Sequence, residues 1–226
     1  MKDLLFVDEQ INDLSFTVKE GEQARLSFAN FTSARDTEIK IDVEKNASLI
    51  GALADFSKGK SRFKLTVNLL GEGSSCQWRS AVLAGGESDK VISTSLYHLA
   101  PETSGVMSNY GISMDKAKLV FTGTSEIAKG SKKAKTRQEA KIIVFDMGCM
   151  GRCTPNLNID ENDVSASHAA IVGKLNDDHL FYLLSRGLDE KSAKRLITLG
   201  YLKPIEEFFG DEGIKNRIDQ TIEGDI

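Results

Sequence analysis

Phe63, Leu65, Val67 and Leu69 alternate strictly with Lys64, Thr66 and Asn68. A period of two puts one set on each face of an extended strand, so this stretch predicts a strand with one dry and one wet side. The same alternation runs through Leu4 to Val7, Leu14 to Val18, Ala24, Leu26 and Phe28, and Ile39, Ile41 and Val43. Further strands are expected over residues 75–83, 91–97, 106–114, 118–121, 141–145, 156–159 and 164–172. Turn signals separate most of them, among them Glu20-Gly21, Lys58-Gly59, Gly71-Glu72-Gly73 and Gly85-Gly86. Many short strands with glycine-bearing turns mean an all-β sandwich, barrel or solenoid, and periodicity does not choose among the three. No exact repeat of fixed length is present, so a solenoid would be irregular.

The character of the chain changes near Gly173. The small and β-branched residues of 163–173 suit an extended, half-buried segment. Beyond it, Asn176 or Asp177 can cap a helix with Leu180, Phe181, Leu183 and Leu184 on one side and Gly187 as its terminator. Asp189 can cap a second helix, apolar at Ala193, Leu196 and Ile197 and stopped by Gly200. Lys203-Pro204 opens a third, with Ile205, Phe208 and Phe209, and Ile214 and Ile218 mark a last amphipathic segment. The expected division is a β core over 1–173 and a small helical domain over 174–226. Helices this short need a surface to dock on, either the β core or another protein.

With 226 residues, 40% of them hydrophobic and 27% charged, the chain can bury one large core. A formal net charge of −4 gives no electrostatic case for nucleic acid. No run approaches the roughly 18 apolar residues of a membrane span, and the first residues carry acids where a signal peptide would be basic and then apolar. The expected compartment is the cytoplasm. Three cysteines, few and odd in number, predict free thiols rather than a disulfide framework.

Few residues stand out as chemical candidates. Cys149 and Cys153 form C-x3-C in a glycine-bearing loop before a strand, which reads either as soft-metal ligation or as ordinary buried thiols. His168, between Ser167 and Ala169, and His98, before Pro101, each read either as a ligand or as a hydrogen-bonded core residue. His179 starts a helix and is expected to face solvent. The lysine-rich run 129–141 reads either as an anion or polynucleotide contact or, favoured by the overall acidity, as a solvated loop and a strand edge, where cations discourage pairing with another chain. Trp78, the single tryptophan, belongs in the core. No nucleophile elbow and no P-loop is visible.

One stretch carries more. From Pro155 the residues Pro155, Leu157 and Ile159, the acids before Val164, Ser167-His168, Gly173-Lys174 and the run Phe181-Tyr182-Leu183 with Ser185-Arg186-Gly187-Leu188 resemble the C-terminal signature of the SufB/SufD family, scaffolds of iron-sulfur cluster assembly. Upstream, His98, Pro101 and Thr103, then Gly111-Ile112-Ser113, Phe121-Thr122-Gly123 and Gln138 are similar to further family positions. The resemblance covers about residues 90 to 210.

What the resemblance implies is an irregular right-handed parallel β-helix followed by a small C-terminal α-helical domain. It implies a scaffold, not an enzyme, pairing through the β-helix as a homodimer or as a heterodimer with a related SufB or SufD subunit. It further implies a SufC-type ABC ATPase docked on residues 177–209, through Phe181, Tyr182, Arg186, Leu188, Tyr201 and Leu202. His168 stands at the D protein's cluster-site histidine and Cys149 at the B protein's cluster-site cysteine, so a homodimer could build a site for a transient, nascent iron-sulfur cluster from both. Cys153 could add a thiolate. Incomplete cysteine coordination would ease transfer of the cluster. Flavin is admitted as a further cofactor without a motif to support it. Departures from the family are Ala166, where many D proteins have cysteine, Ala169-Ala170, which removes a carboxylate seen in B proteins, and the want of the family's N-terminal helical region. Two other readings stand beside this one: a structural adaptor that binds the ATPase without metal, and a groove enzyme of the polysaccharide-lyase kind, for which no carboxylate cluster is visible.

Overall fold

The computed structural model describes residues 1–32 and 36–224. Among them thirteen strands follow one another: β1 (Lys2–Val7), β2 (Leu14–Val18), β3 (Gln23–Asn30), β4 (Asp36–Val43), β5 (Ser48–Asp55), β6 (Lys60–Leu69), β7 (Ser75–Ala84), β8 (Asp89–His98), β9 (Ser104–Ser113), β10 (Lys118–Ile127), β11 (Lys135–Val144), β12 (Met150–Ile159) and β13 (Ser165–Lys174). The odd strands form one parallel sheet in chain order, and the even strands form a second. Each circuit of the chain therefore lays one strand on each sheet. Ser75, Ser104, Lys135 and Ser165 stand at the same register position on successive turns. The architecture is a parallel-β solenoid, which resolves the choice that periodicity left open.

Two cores explain which strands the sequence announced. The inner one fills the space between the sheets with Leu26, Phe28, Ile39, Ile41, Phe63, Leu65, Val67, Trp78, Leu96 and Phe121. Even strands such as β4 and β6 bury only their inner face, so their burial alternates residue by residue as their hydrophobicity does. The odd sheet is covered on its outer face as well. There Ala29, Ala52, Ala54, Phe56, Ala81, Leu83 and Ile112 pack against Leu202, Ile205, Phe208, Phe209, Ile214, Ile218 and Ile222. Buried on both sides, β5 shows no polar alternation and gives no period-two signal.

The outer core is supplied by the helices that follow the exposed α1 (Asp177–Ser185): α2 (Glu190–Leu202), a 3-10 helix over Lys203–Phe208, and α3 (Glu212–Gly224). Asn176 caps α1 by accepting from the amides of Asp178 and His179 at 2.9 and 3.0 Å. Gly187, at φ +92°, ends that segment as expected. Asp189 caps α2 by accepting from the Ser192 amide at 2.7 Å. Gly200 does not stop α2, which runs on to Leu202 because Leu199, Tyr201 and Leu202 all pack toward the sheet. Arg217 of α3 donates to Asp8 at 2.7 Å and lies 4.2 Å over the Phe31 ring, joining the last helix to the first loop.

Two local features fit the sequence reading and one corrects it. Trp78 is fully buried and its indole N–H donates to Ser80 Oγ at 3.0 Å. It stacks on Phe63, with ring centroids 5.8 Å apart, over a gap that exists because residue 51 is glycine. The three cysteines are free. Lys129, Lys132 and Lys133 lie in an exposed loop, as expected, with Lys133 on Glu102 at 3.0 Å, but the strand that follows is not a sheet edge, since β11 pairs with both β9 and β13 and carries Lys141 on Glu139. A buried ion pair went unread: Lys90 Nζ lies 2.9 Å from Asp55 Oδ1, both side chains essentially inaccessible. No helix among the described residues is long and apolar enough to cross a membrane.

Candidate functional site

β12 and β13 make the last turn, and among the described residues each has a neighbour on one side only. Their outer edges leave backbone N–H and C=O groups unpaired, the arrangement that invites another strand. No residue of either strand is buried. The half-buried expectation for 163–173 therefore fails, because no further turn covers this one. Ile171, Val172, Met150 and Met147 are exposed here, Met147 at 96%. These residues were missed as a group; only the absence of a following strand pattern after Lys174 signals an open end.

Cys149 sits in the corner that leads into β12. Its thiol donates to the carbonyls of Ser113 at 3.0 Å and Asp146 at 3.1 Å, which holds the sulfur against the preceding turn. Gly148 beside it must lack a side chain, since a Cβ there would meet the Asp115 carbonyl at 2.8 Å. Cys153 lies within β12, in register with Phe121, its sulfur 4.0 Å from the Ile171 carbonyl. Burial pushes its thiol up to about 11, so it is protonated at neutral pH and becomes a ligand only when a metal displaces the proton. His168 is exposed on β13, opposite Gln138 of β11.

The pair does not converge within one chain. Gln138 Nε2 donates across the interior to the Asn156 carbonyl at 2.8 Å, which puts His168 near the level of Asn156. Cys149 precedes Asn156 by seven residues. At about 3.3 Å per residue that separates the two candidates by roughly 20 Å along the strand direction. Cys153, close to Ile171, falls between them. Among the described residues, no group of three or more His, Cys, Asp or Glu side chains is placed to hold a metal ion.

The other histidines resolve differently. His98 is a core residue: fully buried, with Nδ1 2.9 Å from Thr103 Oγ1 and its ionisation pushed down to about 4 by burial. His179 is exposed at the start of α1.

The helix residues fall into two groups. α1 buries none of its side chains, and Phe181 and Tyr182 are 72% and 55% exposed, with the Arg186 guanidinium 5.2 Å over the Tyr182 ring. Leu188 is half-buried. Tyr201 packs edge-on against Tyr110 at 5.5 Å, and Leu202 is buried in the outer core, so both are already occupied by the sheet.

Comparison with known proteins bears on this arrangement. Residues 15–201 match a family model described as the SufBD core domain of SUF-system FeS cluster assembly. The match reaches back over the early turns, where the sequence motifs were silent. The chain is 31% identical over 179 residues to the iron-sulfur cluster assembly protein SufD of Bacillus subtilis, covering 79% of the chain and 41% of that protein. It is 28% identical over 167 residues to SufB of the same organism, covering 72% of the chain and 35% of SufB. A SufBD family protein of Staphylococcus saprophyticus matches at 29% over 137 residues, 61% of the chain and 30% of that relative. The chain thus spans well under two thirds of the length of these relatives.

Proposed function

The chain belongs to the SufB/SufD family, and from that premise we propose that it is a non-enzymatic scaffold for iron-sulfur cluster assembly, working in the cytoplasm. One observation carries the reading: the open last turn of the solenoid presents Cys149, Cys153 and His168 beside unpaired strand edges. A second solenoid, either another copy or a related subunit, would cover that turn and its exposed Ile171 and Val172. Because Cys149 and His168 are far apart in one chain, the nascent cluster would be shared across such a pair, Cys149 from one chain and His168 from the other. The cluster is cargo, and a mixed thiolate and imidazole ligand set favours its release.

The ATPase-docking surface is α1, with Phe181, Tyr182, Arg186 and Leu188 presented outward. Tyr201 and Leu202 contribute from beneath by fixing α2 on the sheet. The adaptor without metal remains the second reading, favoured by the lack of three convergent ligands among the described residues.

Anaerobic reconstitution with ferrous iron and sulfide separates the two. The expected result is iron and sulfide bound to a dimer, with visible thiolate-to-iron absorbance lost in Cys149→Ala and in His168→Ala while the fold is kept. Equal cluster uptake by both variants and the parent chain would remove the site assignment.

A further inference from the structure

The space between the sheets is not wholly apolar. Just below the last turn lies a small, partly open void of about 10 Å³, lined by Met107, Asn109, Gly123, Gln138, Pro155 and Ala169. Asn109 and Gln138 are 2% and 4% exposed. Each side-chain amide has one committed end: Asn109 Nδ2 donates to Thr94 Oγ1 at 3.3 Å, and Gln138 Nε2 donates to the Asn156 carbonyl at 2.8 Å. That orients Asn109 Oδ1 and Gln138 Oε1 the other way, and neither oxygen has a partner among the described residues. A buried acceptor left unsatisfied forfeits the hydrogen bond that water gave it in the unfolded chain.

From this geometry we infer that the void binds a single internal water, donating one O–H to Asn109 Oδ1 and the other to Gln138 Oε1. The size selects the ligand, since roughly 10–15 Å³ of such volume admits one water and nothing larger. The chemistry agrees, because two acceptors call for a molecule with two donors. Gly123 makes the room: a Cβ there would stand 2.9 Å from Gln138 Oε1. The water completes a hydrogen-bonded bridge from β9 through Gln138 of β11 to the backbone of β12. It therefore pins the turn carrying Cys153 and His168 from the inside. This inference is independent of what that turn binds.

A high-resolution crystal structure, with water-to-amide cross-relaxation measured by NMR on the Gln138 side chain, tests it. Expected are a fully occupied water within about 3 Å of both oxygens and a cross-peak between water and the Gln138 amide protons. Gly123→Ala should abolish that peak by filling the void. A dry void in the parent chain overturns the inference, as does a direct bond between Asn109 and Gln138. If Gly123→Ala does not fold, the parent-chain measurements decide alone.

Discussion

His98 makes the stability of this protein depend on pH in a way that can be calculated and isolated. Thr103 Oγ1 donates to the Ala100 carbonyl at 3.2 Å, so in its 2.9 Å contact with His98 the hydroxyl accepts, and the ring proton belongs on Nδ1. Nε2 then faces the inside of the solenoid with no hydrogen-bond partner among the described residues, next to Leu96 and Gly105. Protonating it would create a charged N–H without an acceptor, which is why burial pushes the group down to about 4. In the unfolded chain the same histidine takes its proton near 6.5. Stability from the neutral ring is thus fully present above pH 6.5 and is lost as pH falls through the window to 4. The gap corresponds to about 3 kcal/mol. Urea unfolding of the parent chain and His98→Asn between pH 7 and pH 4 isolates this loss, because carboxylate contributions are common to both. The variant should be weaker at pH 7 but lose about 3 kcal/mol less on acidification. Parallel curves for the two proteins, or native-state protonation of His98 near 6.5 by NMR, would refute the reasoning.

Two further outcomes follow from packing and exposure. In Gly51→Ala the added methyl lands on the Trp78 ring, which Phe63 holds in place, so unfolding should be easier by about 1–3 kcal/mol in a denaturant titration, and no loss would mean the ring can swing aside. Replacing Phe181 and Tyr182 together by serine should change stability by only about 0.5 kcal/mol, since both are exposed, yet weaken calorimetric binding of a SufC-type ATPase by 2 kcal/mol or more, as for hot-spot residues; unaltered affinity would move the docking surface elsewhere.

Legibility in the sequence followed the environment of each strand. Where one face meets solvent, as in β4 and β6, alternation marked the element. Where both faces are covered, as in β5, it vanished, and the stretch went unread. The helix starts were written in single residues, Asn176 and Asp189, whose side chains accept the amides expected of caps. Gly200 misled because tertiary contacts of Tyr201 and Leu202 carried the helix past it. The solenoid itself came from motif resemblance, as period-two patterns look alike in any β architecture. At the candidate site, residue types were readable but distance was not. Nothing local reports that Cys149 and His168 lie at different levels of the last turn, because that depends on how a whole circuit folds back.

The 2.7 Å bond between Arg217 and Asp8 spans 209 positions of sequence in a body whose turns otherwise touch mainly their nearest neighbours. A stack of that kind tends to fray from its ends, one layer at a time. Here the final helix is a strap buckled to the opening layer, and it is packed on the 3-10 helix and α2, which lie across the intermediate layers. Peeling the first layer therefore means loosening the whole band, so the two halves of the polypeptide should melt together.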